Sequence, residues 1–123
     1  MAKLSGITVL VVDDSYINRL MIINFLSDLK VSIIEAGTGK EALEVLEVFK
    51  PELILLDLMM PEMDGFELLE IFKTKGVKIP VIVITGRPKE SSYKKCIELG
   101  AAGFLNKPFK MNDLLNEINN VLN

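Results

Sequence analysis

Five short runs of apolar residues punctuate the chain: Ile7 to Val12, Val31 to Glu35, Leu53 to Leu56, Pro80 to Ile84 and Ala102 to Leu105. Between them lie longer stretches in which apolar positions recur at helical spacing. Several runs are apolar at almost every position, as strands covered on both faces are, and the alternation predicts five βα units around a parallel sheet. Thr38 three residues before Glu41, and Asp64 three before Glu67, have capping-box spacing at helix starts, while Gly76 and Gly100 mark helix ends. Ala42, Val45, Leu46 and Phe49 predict one core stripe, and Leu115, Ile118 and Leu122 another. In the first helix two stripes compete. Met21, Ile22, Phe25 and Leu29 share one side and Tyr16, Leu20 and Ile23 the other, so one of the two is left partly exposed, either as incidental surface or as a docking or dimer patch. Lys110 stands where the last helix would ordinarily carry a small polar or acidic cap.

Composition narrows the reading. The 123 residues, half hydrophobic and 25% charged, are expected to form one folded domain over 1–123. Fourteen basic against seventeen acidic residues give a net charge of -3, which offers no basic field to nucleic acid or an anionic membrane. The absence of histidine removes imidazole as base, relay carrier or ligand. The single cysteine, Cys96, excludes disulfides and thiolate clusters and is expected to pack as a small hydrophobe. No apolar run approaches the roughly 18 residues of a membrane helix, and the start MAKLSG lacks a signal core, so a cytoplasmic protein without membrane insertion is expected.

The chemistry sits at the ends of the apolar runs. Asp13 and Asp14 follow the first, Asp57 the third and Thr85 the fourth, with Lys107 shortly after the fifth. In an open parallel sheet, ligands bind beyond the carboxyl ends of the strands, so these residues converge. A lone Asp after a strand is most often a turn former or cap, and Thr85 alone is an ordinary strand-end residue. Adjacent Asp13 and Asp14, however, exceed what one cap requires. Three converging carboxylates repel unless a cation that favours oxygen ligands neutralises them, and Mg²⁺ suits. Lysine and hydroxyl beside such a site, with no base, fit phosphoryl transfer onto a carboxylate, with Asp57 as acceptor.

The segments LVVDDS, LILLDLMMPEMDG, VIVITG and GAAGFLNKPF together resemble the receiver domains of two-component response regulators, including the small chemotaxis regulator and receivers of hybrid kinases, across essentially the whole chain. The resemblance implies a single doubly wound, flavodoxin-like (βα)₅ domain with strand order 2-1-3-4-5. It also implies a phospho-acceptor switch fed by a histidine kinase or histidine phosphotransfer protein and read by a downstream protein, as a monomer or a dimer formed on phosphorylation. Asp14, Asp57 and the main-chain carbonyl of Met59 would then bind Mg²⁺, with Mn²⁺ as a substitute, and Asp13 would act through water. Lys107 and Thr85 would hold the phosphoryl oxygens, with Gly86 leaving their approach open. Thr85 and Phe104 would form the switch, Phe104 standing where tyrosine is common. The output surface would span 89–99 and 104–122, Met59 and Arg87 would set the phosphoryl lifetime, and Ser15, Tyr16, Asn18, Leu20, Met21, Pro108 and Phe109 would dock the kinase.

Such a domain is a regulator with self-catalysed phosphorylation and dephosphorylation, not a turnover enzyme. A haloacid-dehalogenase-like phosphatase needs Asp-x-Asp, and Asp57-Leu58-Met59 lacks the second acid. Gly37-Thr38-Gly39-Lys40 fails the spacing of a nucleotide phosphate loop and reads better as a capped helix start. A phosphorylation-independent interaction module is the alternative reading.

Overall fold

Each of the five apolar runs becomes a strand, and each strand except the third starts one residue later than its pattern suggests. The computed structural model describes residues 4–86 and 90–122. In chain order the elements are β1 (Thr8–Val12), α1 (Tyr16–Leu26) with a 3-10 turn over Ser27–Leu29, β2 (Ser32–Ala36), α2 (Gly39–Val48) and β3 (Leu53–Asp57). There follow α3 (Gly65–Lys75), β4 (Val81–Thr85), α4 (Glu90–Glu98), β5 (Gly103–Asn106) and α5 (Met111–Leu122). All pairings are parallel, in the order β2-β1-β3-β4-β5.

β3, β4 and β5 run one residue further than hydrophobicity does because the backbone ladder continues through their polar ends. Asp57 pairs with Ile84 and Thr85 with Asn106, and the Leu58 N–H still donates to the Ile84 carbonyl at 3.1 Å. Asp57 and Thr85 are thus strand residues, held by the sheet rather than by loops.

Strand alternation sends side chains to two cores. Leu10, Val12, Ile54, Leu56 and Val83 pack with Ala42, Leu68, Leu69, Phe72 and Cys96 from α2, α3 and α4. Val9, Val11, Leu53, Leu55, Ile82 and Ile84 pack on the other face with Ile22, Leu26, Leu114 and Ile118 from α1 and α5. Each such fully buried Leu or Ile contributes about 1.5–3 kcal/mol, so the two faces together hold the sheet rigid. Cys96 packs as expected, and burial pushes its thiol upward in pKa.

The caps follow the sequence signals. Thr38 Oγ1 accepts from the Glu41 N–H at 3.0 Å, Asp64 Oδ1 from the Glu67 N–H at 2.9 Å, and Gly76 ends α3 at φ 73. At Lys110 the missing cap is replaced from within the helix, since its N–H donates to Asp113 Oδ2 at 2.9 Å.

Two stripe assignments are corrected and a third is extended. α2 ends at Val48, and Phe49 turns extended and is 52% exposed, so the core stripe stops at Leu46. In α1 the core side includes Leu26, and the exposed side is Tyr16, Ile17 and Leu20. Ile23 is half-buried, three residues before the buried Leu26 and so about 60° round the helix from it. In α5 Leu114 joins Ile118 in the core, with Leu115 and Leu122 half-buried.

Two close approaches shape the site's surroundings. A Cβ on Gly65 would lie 2.7 Å from Leu58 Cα and 2.9 Å from the Asp57 carbonyl oxygen, so only glycine lets α3 start against the end of β3. On the edge strand β5 the N–H of Phe104 donates to Glu117 Oε2 of α5 at 2.9 Å.

Candidate functional site

Four strand ends meet at one cleft. Asp13 follows β1 directly; its N–H donates to the Ala36 carbonyl at 3.0 Å, and its Oδ1 accepts from the Ser15 N–H at 2.8 Å. Asp57 ends β3, and its Oδ1 accepts from the Met59 N–H at 3.3 Å. Asp13 and Asp57 are 2% and 5% exposed, whereas Asp14 faces solvent. Each of the three offers a carboxylate oxygen within 4.8 Å of the others. Lys107, whose N–H donates to the Thr85 carbonyl at 2.8 Å, places Nζ 3.4 Å from Asp13 Oδ2 and 3.5 Å from Asp57 Oδ1. Thr85 is buried at the end of β4. Asp14, Asn18, Asp57, Met59, Gly86 and Lys107 line the opening, a cleft of about 490 Å³.

One ammonium spread over two buried carboxylates leaves the cluster acidic. The Asp57 carboxyl is pushed up from 3.8 to about 6, first by burial and then by the Asp13 carboxylate, with Lys107 and the Met59 N–H pulling the other way and Asp14 adding to the rise. Three carboxylate oxygens, with no sulfur or imidazole among them, form a donor set that fits a hard divalent cation such as Mg²⁺ and suits softer metals poorly.

The remaining predicted positions divide. Ser15 caps α1 by accepting from the Asn18 N–H at 3.2 Å, and Asn18 stands in the cleft wall. Tyr16, Leu20 and Pro108 are exposed near it in sequence. Phe109 is buried edge-on against Phe25, with ring centroids 6.1 Å apart, and Met21 is half-buried against the same core, so both present less surface than Tyr16 or Leu20. Their apolar character signalled burial rather than exposure. Ile17, 69% exposed, is the apolar α1 residue that the stripe reading missed. Met59 is exposed at the cleft, while Arg87 and Lys89 lie outside the described residues. Phe104 is half-buried and meets the Tyr93 ring of α4 edge-on at 5.3 Å, a pairing that no spacing rule foretells. A Cβ on Gly86 would sit 3.8 Å from Lys107 Cβ, in ordinary contact, so glycine there leaves room without being sterically required.

The sequence model of the response regulator receiver domain matches residues 9–119. The chain belongs to this family. The receiver is 40% identical over 110 residues to the protein-glutamate methylesterase/protein-glutamine glutaminase of Treponema denticola, covering 85% of this chain but only 29% of that protein. It is 36% identical to the two-component response regulator ORR3 of Oryza sativa, covering 93% of this chain and 89% of that one. Among solved structures it resembles the chemotaxis protein CheY4 of Vibrio cholerae, with TM-score 0.88, 30% identity and coverage of 94% and 98%. It also resembles the receiver domain of a signal transduction histidine kinase from Syntrophus aciditrophicus, with TM-score 0.85, 29% identity and coverage of 95% and 90%. The strand order and five helices are those of CheY-like receivers, and the chain is a receiver of two-component signalling. Among the described residues no helix is long and apolar enough to cross a membrane.

Proposed function

We propose that the receiver is a phospho-acceptor switch in which Asp57 takes a phosphoryl group from a histidine kinase or histidine phosphotransfer protein in the cytoplasm. The observation that carries this reading is the placement of Asp57: a buried carboxylate at a strand end, beside two further acids and beneath the ammonium of Lys107. A carboxylate oxygen of Asp57 attacks phosphorus; the new O–P bond forms as the N–P bond breaks, and the electron pair stays on the departing imidazole nitrogen. Lys107 holds the incoming phosphoryl oxygens as a compact point charge, and the Thr85 hydroxyl hydrogen-bonds them. Asp14, Asp57 and the Met59 carbonyl would hold Mg²⁺ or Mn²⁺, with Asp13 acting through water. The cation supplies charge neutralisation between the carboxylates and the phosphoryl oxygens.

Drawing Thr85 and Lys107 toward the new anion vacates space beside Phe104, whose ring then shifts against Tyr93 and alters the face made by α4, β5 and α5 for a downstream protein. Docking of the phosphodonor falls to Tyr16, Ile17 and Leu20, next to Ser15 and Asn18. The receiver regulates rather than turns over substrate: the second acid of an Asp-x-Asp phosphatase is missing after Asp57, and the methylesterase similarity is confined to 29% of that protein.

Intact mass after incubation with acetyl phosphate and Mg²⁺ tests the reading. One phosphoryl adduct is expected in the wild type, and none in Asp57→Asn or with the metal chelated. An adduct that persists in Asp57→Asn overturns the assignment, and absence of any adduct with acetyl phosphate or with a panel of histidine kinases favours an interaction module independent of phosphorylation.

A further inference from the structure

We infer that Arg19, a residue of α1 outside the cleft lining, is a positioning residue that sets the orientation of Asp14 for cation binding by gripping the peptide between Asp13 and Asp14. This rests on the Mg²⁺-dependent reading above. The Arg19 side chain is only 16% exposed, and its guanidinium joins three segments. Its Nη1 donates to the Asp13 main-chain carbonyl at 2.5 Å, its Nε donates to Glu35 Oε1 of β2 at 2.9 Å, and its carbon lies 5.8 Å from the Tyr16 ring centroid. Nη1 is also within 3.4 Å of where a Cβ on Gly37 would stand, so the β2–α2 loop closes over it.

The argument follows from what holds each acid. Asp13 is secured through its N–H and its carboxylate. Among the described residues, no hydrogen bond or ion pair holds the exposed Asp14 carboxylate, which sits within 4.8 Å of two others and is repelled by both. What remains to aim Asp14 is its backbone. The Asp13 carbonyl and the Asp14 N–H share one planar peptide unit, so a charged donor on that oxygen fixes the plane from which Asp14 departs. Glu35 anchors the guanidinium from the other side. The planar fork of arginine serves both acceptors at once, whereas a lysine ammonium at the end of a flexible stem reaches one at a time.

The experiment compares wild type, Arg19→Ala, Arg19→Lys and Glu35→Gln by Mg²⁺ titration, by melting temperature, and by the ¹⁵N shift and hydrogen exchange of the Asp14 amide without metal. Arg19→Ala is expected to weaken Mg²⁺ binding by about tenfold or more, the usual effect of losing an outer support of a metal ligand. Arg19→Lys should fall between it and the wild type. Glu35→Gln, which keeps the donor on the Asp13 carbonyl, should lose stability with a much smaller change in Mg²⁺ affinity. The Asp14 amide should shift and exchange faster in Arg19→Ala. Unchanged Mg²⁺ affinity in Arg19→Ala, or affinities that merely track melting temperature across the set, would overturn the inference. If Arg19→Ala does not fold, Arg19→Lys binding Mg²⁺ more weakly than Glu35→Gln sustains it and the reverse order overturns it. If the wild type binds no Mg²⁺, the functional reading fails, and the Asp14 amide alone decides whether Arg19 positions this loop.

Discussion

Asp57 is an acid that its own surroundings resist ionising. The folded protein holds its proton up to about pH 6, while an unperturbed aspartate releases it near 3.8, so between these values the native state binds more protons than the unfolded chain. Stability without metal therefore falls as pH rises through that window and stays lower above it, by on the order of 3 kcal/mol for a shift of this size. Asp57→Asn is expected to melt several degrees higher than the wild type at neutral pH without metal, the advantage shrinking as the medium is acidified toward the ordinary carboxylate value. Melting curves across pH check this, and a lower melting temperature for the variant at neutral pH would refute it. Met59, exposed at the cleft mouth, is expected to shield the acyl phosphate from water, so Met59→Ala should speed decay of the adduct followed by intact mass. Asp13, Asp14, Asp57, Thr85 and Lys107 were legible in the sequence because each interrupts or follows an apolar run. The burial of Phe109 and the exposure of Ile17 were not legible, because apolar identity alone does not say which side of an element faces the core. Arg19 closes the run SYINR, but its contact was not legible there, since it reaches a main-chain carbonyl.

Among the secondary-structure elements, the strands were readable to within a residue because burial on both faces makes them apolar throughout. The true ends of β3, β4 and β5 were hidden because the ladder's last members there are polar: Asp57, Thr85 and Asn106. Helix termini were readable where a side chain caps them, at Thr38 and Asp64, and not where α2 stops before Phe49. The junction between β3 and α3 is the least tolerant. Gly65→Ala would drive a methyl group against the backbone of Leu58 and Asp57, and a loss of about 1–3 kcal/mol is expected in urea unfolding. Gly86→Ala, whose methyl meets only ordinary contacts with Lys107, should leave stability nearly unchanged in the same measurement. Asp113→Ala, which strips the acceptor from the Lys110 N–H, should cost about 1 kcal/mol, within the range of lost helix caps.

For the domain taken together, the helices covering opposite faces of one sheet leave β1 and β3 adjacent at the centre, and the cleft opens where their carboxyl ends meet. A cation bound there is linked to the stability of every element that converges on it. With Mg²⁺ at 100 times its dissociation constant, the wild type should gain about 2.7 kcal/mol, and a chelator should remove it. Asp57→Asn should gain much less, which calorimetry with and without Mg²⁺ will show. The strand order was available only through resemblance, because apolar runs alone do not say which strands are neighbours.

The contact between Glu117 and Phe104 has a bearing on how this domain can assemble. A parallel sheet ends in two rims of unspent hydrogen-bonding groups, and a rim left open invites a strand from another molecule. On the β5 side the Phe104 amide is already spent on a carboxylate from its own α5, so a second chain that tried to extend the sheet there would first have to displace a charged group. The carboxylate of Glu117 thus guards one amide of the β5 rim against pairing with a second strand.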